Sequence, residues 1–316
     1  MDPAPYRADL AEAPAGARAV WVRTDDDIRL RIALHETGDQ GTVLIFPGRT
    51  EWAEKYGRVV THLAGMGYSS LVIDWRGQGL SDRLLPDRRK GHVGKYPDYQ
   101  MDVQAALDCA RDAGLPEPYF LIAHSMGGAI GLRAVMQDLP VKGVVFSAPL
   151  WGVQFPLWAR PVAGLLGTLA GWTGQGEAYA PTTGSEPYVL TAPFADNLLT
   201  TDRGEFRFMI DHLTAEPDFA VAGPTMQWVH EAHCECRWLE TRPAPPLPCL
   251  TALGTNERIV LTAPIHARMT DWPDGRLVMV DGGEHEVLME APDKLDPLLA
   301  EIEAFFAAQL QDGKAA

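Results

Sequence analysis

The chain has 316 residues, 46% of them hydrophobic and 22% charged, an ordinary globular composition with ample material for a large core. Lys plus Arg number 27 against 42 Asp plus Glu, a formal net charge of −15. An acidic surface repels phosphate backbones and anionic headgroups, which argues against nucleic-acid binding, leaves neutral and zwitterionic lipids open, and otherwise only favours solubility.

Residues 1–16 carry Asp2, Asp9 and Glu12 and no apolar run. They read as a Pro/Ala-rich, loosely ordered lead segment and not as a secretory signal. Strands and helices then alternate, the pattern of a mostly parallel sheet with crossover helices. The segments 19–24 and 28–35 read as a β-hairpin turning at Asp25-Asp26-Asp27, and 42–46 as a buried strand ending at Pro47-Gly48. An amphipathic helix is expected over 54–65 and a strand over 70–74. After a polar loop, 76–97, come a helix at 98–113, a strand at 119–123, a Gly/Ala-rich helix at 126–137 and a strand at 143–147.

From 150 to about 248 the alternation stops. Trp151, Trp158, Trp172, Trp228 and Trp238, five of the nine tryptophans, fall there among many Gly and Pro. It resumes with a strand at 249–253, a helix at 262–270, a strand at 276–280 and a last amphipathic helix at 292–310. The expected organisation is a lead segment (1–16), one α/β core (17–149 and 249–316) and an inserted cap or lid (150–248). No apolar run reaches the roughly 18 residues of a membrane span, so a soluble, cytoplasmic protein is expected.

Phe120-Leu121-Ile122-Ala123-His124-Ser125-Met126-Gly127-Gly128 reads as a strand passing through a tight turn into a helix. A serine on such a turn is held away from the sheet with its hydroxyl exposed, and small neighbours let strand and helix approach. The motif is G-x-S-x-G with Ala123 in first place. Its bland reading is a helix N-cap serine. A nucleophilic serine needs a base and a charge stabiliser, which in this arrangement follow as acid and then His, each after a later strand. His285, in Asp281-Gly282-Gly283-Glu284-His285, is the histidine so placed; His124 must point away from the serine and pack. Glu257 is the carboxylate in the loop after strand 249–253, with Asp271 and Asp274 as alternatives. Two backbone donors should face the developing oxyanion: the Met126 N–H, and one from Pro47-Gly48-Arg49-Thr50, with Arg49 the best placed.

Cys109 and Cys249 read as core thiols. The string His230-Glu231-Ala232-His233-Cys234-Glu235-Cys236 fits neither a paired C-x-x-C site nor the H-E-x-x-H helix, so no metal is expected there.

Three stretches carry a resemblance: Phe46-Pro47-Gly48-Arg49-Thr50-Glu51-Trp52-Ala53-Glu54-Lys55-Tyr56, Asp74-Trp75-Arg76-Gly77-Gln78-Gly79-Leu80-Ser81-Asp82 and the serine turn. Together with 254–260 and Gly283-Glu284-His285-Glu286-Val287-Leu288-Met289-Glu290, they resemble the monoacylglycerol lipase and lysophospholipase L2 group of the α/β-hydrolases. The likeness covers the core well and the insertion loosely. It implies the α/β-hydrolase fold, Ser125 as nucleophile, Glu257 as acid, His285 as base, and the Arg49 and Met126 amides as oxyanion donors. Three positions depart from the group: Pro47-Gly48 replaces His-Gly, Glu257 stands where Asp is usual, and Trp52 where a His is common.

The resemblance further implies a carboxylic ester hydrolase that works through an acyl-enzyme and takes a lysophospholipid or monoacylglycerol, with no metal or organic cofactor. A short-chain carboxylesterase, an acyltransferase and a non-catalytic binding protein are the alternatives. Trp151, Phe155, Trp158 and Leu165 of the cap are candidate acyl contacts, although apolar cap residues mostly hold the cap down. The cap is also a candidate for transient contact with a lipid surface; no oligomeric state follows. A neutral His285 is required, so activity should rise through roughly pH 6–7.5.

Overall fold

The computed structural model describes residues 1–154 and 175–312. Nine strands form one sheet: β1 Asp2–Ala4, β2 Arg18–Arg23, β3 Arg29–His35, β4 Thr42–Phe46, β5 Ser69–Asp74, β6 Tyr119–His124, β7 Val141–Ser147, β8 Cys249–Gly254 and β9 Gly275–Val280. Their order is β1-β2-β3-β5-β4-β6-β7-β8-β9. The first four strands in that order pair antiparallel and the rest parallel. The fold is the α/β-hydrolase fold, a mostly parallel sheet with flanking helices.

Every residue of β4, β5 and β6 is buried, which is why the centres of these strands are apolar without polar alternation. Alternation still sorts their side chains. Leu44, Phe46, Leu71, Ile73, Leu121 and Ala123 share one apolar layer; Val43, Ile45, Val72, Phe120 and Ile122 share the other. The first layer is closed by α3 (Tyr99–Asp112), α4 (Met126–Met136) and α8 (Thr262–Thr270), the second by α2 (Gly57–Gly65) and α9 (Pro292–Asp312).

The loosely ordered lead segment is corrected. β1 pairs with β2 from Asp2↔Trp21 to Ala4↔Ala19, α1 (Ala8–Ala11) follows, and the Arg7 amide donates to Glu54 at 3.0 Å. Backbone pairing at a sheet edge needs no side-chain pattern, so composition could not reveal it.

Between β7 and β8 lie α5 (Tyr188–Thr191), α6 (Arg203–Ala215) and α7 (Met226–Glu240). α7 packs into the core: Trp228, Ala232, Cys236 and Leu239 join the layer around α4, and Arg133 of α4 meets Glu235 at 2.5–2.7 Å. α6 builds a separate cluster, Phe206, Met209 and Leu213 with Trp52 and Phe219. Cys236 is buried and Cys234 exposed, because positions two apart on a helix face different ways. Among the described residues no helix is long and apolar enough to cross a membrane.

Candidate active site

Each implicated loop leaves the carboxyl end of a parallel strand. Pro47–Arg49 follows β4, Ser125 follows β6, Glu257 follows β8 and His285 follows β9. The chain departs from adjacent β4 and β6 toward opposite edges of the sheet, and such a switch point opens a crevice above the strands.

Ser125 sits at φ 50°, ψ −114°, a conformation that costs a non-glycine residue about 1–3 kcal/mol. Tight packing enforces it: a Cβ at Gly127 would collide with the Phe46 carbonyl, and one at Gly128 would lie 2.5 Å from Pro149 Cβ. The Ser125 amide donates to the Ser147 carbonyl at 3.0 Å, tying the turn to β7.

Ser125 Oγ lies 2.9 Å from His285 Nε2, and His285 Nδ1 lies 2.7 Å from Glu257 Oε2. The extra methylene of Glu257 is thus absorbed. Its second oxygen accepts the Ile259 and Val260 amides at 2.6 and 3.0 Å. Burial works to raise the Glu257 pKa, but the bond to His285 and these amides hold it below the ordinary value. Asp271 and Asp274 stand at the far end of α8 and in the turn before β9, and the carboxylate in contact with His285 is Glu257.

The two expected donor amides are open. Gly48 N–H donates to Glu51 and Thr50 N–H to Gln78, so the loop is fastened on both sides of Arg49. Neither Arg49 N–H nor Met126 N–H is taken by a hydrogen bond among the described residues. The Arg49 side chain turns away, donating to the Ala222 carbonyl at 2.6 Å. Trp75 Nε1–H on the Pro47 carbonyl, at 2.9 Å, gives this loop support that does not involve a His side chain at position 47. His124 packs as expected: its Nδ1 is 3.0 Å from the Ser147 carbonyl, and burial pushes its pKa down to about 3.

Ser125 and His285 open onto a cavity of about 250 Å³. Its far walls are apolar and come largely from the insertion: Leu198, Leu199, Met209, Leu213 and Val221. Of the cap residues expected at an acyl site, Phe155, Trp158 and Leu165 lie outside the described residues. Trp151 does not line the cavity. It is buried under α4, its ring 5.0 Å from Phe146 and 6.3 Å from Trp272, with Nε1–H on the Gly128 carbonyl at 3.2 Å. A tryptophan one residue beyond a core loop is drawn into the core before it can reach a lid. The lining residues Met209 and Leu213 were missed, though Phe206, Met209, Ile210 and Leu213 form a helical stripe legible in the sequence. Trp52 lines the cavity, stacks on Phe219 at 5.5 Å and donates to His212 Nδ1 at 2.9 Å.

Comparisons with known proteins agree with this architecture. The family described as "Serine aminopeptidase, S33" (Hydrolase_4) matches residues 38–292. Lysophospholipase L2 of Escherichia coli K12 is 28% identical over 291 residues, 89% of this chain and 85% of that protein. The structure of a soluble variant of Saccharomyces cerevisiae monoglyceride lipase, in complex with a substrate analog, superimposes with a TM-score of 0.73 at 19% identity, covering 97% and 99% of the two chains. A thermostable carboxyl esterase of Bacillus coagulans gives 0.72 at 14% identity, covering 94% and 100%. At these identities the two structures speak for the fold alone.

Proposed function

The chain belongs to the serine aminopeptidase S33 family of α/β-hydrolases, and from that premise we propose that it cleaves the carboxylic ester of a monoacyl lipid, a lysophospholipid or a monoacylglycerol, by a serine mechanism. The observation that carries the reading is the relay Ser125–His285–Glu257, at 2.9 and 2.7 Å, opening onto a cavity with apolar far walls. Relatives named lysophospholipase L2 support the substrate class.

Ser125 O–H donates to His285 Nε2 and His285 Nδ1–H to Glu257. As Ser125 Oγ attacks the ester carbon, His285 takes its proton and Glu257 stabilises the imidazolium. The carbonyl oxygen becomes an oxyanion between the Arg49 and Met126 amides. His285 then protonates the leaving alcohol. Water, deprotonated by the same imidazole, releases the fatty acid from the acyl-enzyme.

The acyl chain follows Leu199, Met209, Leu213 and Val221, and the insertion 150–248 acts as the cap that shapes this channel. Ten buried methylenes contribute about 8 kcal/mol gross, against about 1 kcal/mol for one hydrogen bond, so chain burial and not headgroup recognition sets affinity. A shorter ester is the second reading, favoured by the modest volume of about 250 Å³.

Fatty-acid release from matched monoacylglycerols, lysophospholipids and short esters, by wild type and Ser125→Ala, tests both. Serine-dependent release from long monoacyl chains supports the first reading and release from short esters alone the second. Full activity in Ser125→Ala rejects the mechanism.

A further inference from the structure

Beneath the cavity, five buried side chains take no part in the relay. Lys55 Nζ lies 2.5 Å from Glu51 Oε1 and 2.6 Å from both oxygens of Glu286, and all three residues are at most 5% exposed. His124 Nε2 stands 3.7 Å from Glu51 and 4.0 Å from Glu286. Tyr56 O–H donates to Glu51 Oε2 at 2.6 Å.

Glu51, His124 and Glu286 have the spacing of a metal site, their donor atoms lying within 4.8 Å of one another. The Lys55 ammonium, in contact with both carboxylates, occupies the place a cation would take. His124 supplies no second charge, because burial, above all, keeps it neutral. The two carboxylates therefore depend on Lys55 for positive charge. Burial tends to raise the pKa of both; Lys55 keeps Glu51 well below the ordinary value, while burial and the Glu51 charge push Glu286 up.

The position of this cluster gives it a consequence. Glu51 also accepts the Gly48 amide, one residue before the open Arg49 amide. Glu286 follows His285 in the chain, and the two rings His124 and His285 stand 4.8 Å apart. Lys55 is thus the link between the donor loop after β4 and the base loop after β9.

We propose that Lys55 is a positioning residue for ester cleavage: its ammonium, clamping Glu51 to Glu286, sets the distance between the oxyanion-binding loop and the His285 loop. This rests on the serine mechanism above. Removing the ammonium takes away the contacts that tie Glu51 to Glu286, and the two loops they stand on are then free to shift against each other. A displacement of about 1 Å between oxyanion donors and base costs on the order of 100-fold in turnover, while the apolar channel that binds the chain is untouched.

Lys55 lines the cavity, so a small amine can reach its place after truncation. The experiment follows p-nitrophenyl hexanoate hydrolysis by wild type, Lys55→Ala, Glu286→Gln and Ser125→Ala, with melting curves for each. Expected for Lys55→Ala is a kcat about 100-fold lower, a KM within about threefold of wild type, and recovery of at least about tenfold by n-propylammonium but not by n-propanol. Glu286→Gln, which keeps shape and loses one carboxylate, should lose about threefold to tenfold in kcat at unchanged KM. The proposal is overturned if folded Lys55→Ala keeps wild-type kcat, if its defect lies in KM alone, if propylammonium does not help, or if propanol helps equally. Should Lys55→Ala fail to fold, wild-type kcat in Glu286→Gln overturns it. Activity surviving in Ser125→Ala instead rejects the serine mechanism and is read separately from the lysine's role.

Discussion

Glu257 is held from two directions: one oxygen meets His285 Nδ1 at 2.7 Å, the other accepts the Ile259 and Val260 amides. An aspartate, one methylene shorter, cannot satisfy both ends. Glu257→Asp should fold and lose about tenfold to 100-fold in kcat, because the imidazole is no longer fixed. Glu257→Gln keeps the length but loses the charge that stabilises the imidazolium, and should lose about 10³–10⁴-fold. Steady-state kinetics on one soluble ester separates the two; near wild-type kcat in Glu257→Gln would mean that charge is immaterial.

A second prediction concerns His35, at the end of β3. It is buried edge-on against the Tyr6 ring at 5.8 Å, and neither ring nitrogen has a hydrogen-bond partner among the described residues. Burial lowers its pKa from 6.5 to about 4. On acidification the unfolded chain takes up this proton first. The contribution is therefore fully present above about pH 6.5 and lost as pH falls toward 4, about 3 kcal/mol in all. His35→Leu should flatten the acid limb of stability by that amount. Urea unfolding of both proteins at pH 7 and pH 4 measures it, and parallel pH dependences would contradict it.

Much of this was legible because core strands and helices announce themselves: β4, Thr42–Phe46, and α8, Thr262–Thr270, stand where the sequence pattern places them. The serine turn was legible for the same reason, since an apolar strand running straight into small residues has few other readings. The insertion was not. Its helices divide their apolar residues between the core and the cavity, and burial of Trp151 in one and Leu213 in the other follows from tertiary packing alone. Nor could sequence reveal that Glu51, Lys55 and Glu286, separated by up to 235 positions, share one buried cluster. Each looks like a surface charge when read locally.

A third prediction tests the turn itself. Gly128→Ala places a Cβ 2.5 Å from Pro149 Cβ and 2.8 Å from its Cα, neither of which can swing aside. Either α4 shifts or the variant is destabilised by about 2 kcal/mol, and both routes displace Ser125. The expected result is a lowered Tm together with a kcat loss exceeding that of any surface substitution. Wild-type values for both would show that the turn is less tightly packed than these distances indicate.

The last prediction concerns chain length. Leu213 lies on α6, on the apolar wall facing the serine, in a cavity of about 250 Å³. Leu213→Trp brings a bicyclic ring into that space. If the ring excludes about three methylenes, the loss is about 2.4 kcal/mol, roughly 50-fold in kcat/KM for a dodecanoyl ester. Acetyl and butanoyl esters extend only a few bonds from Ser125 and should keep wild-type kcat/KM within about twofold. The variant should therefore move the optimum toward short chains with the relay undisturbed. A uniform loss across all lengths would mean the wall acts through Ser125 and not on the chain, and the acyl channel would have to be sought on another side of the serine.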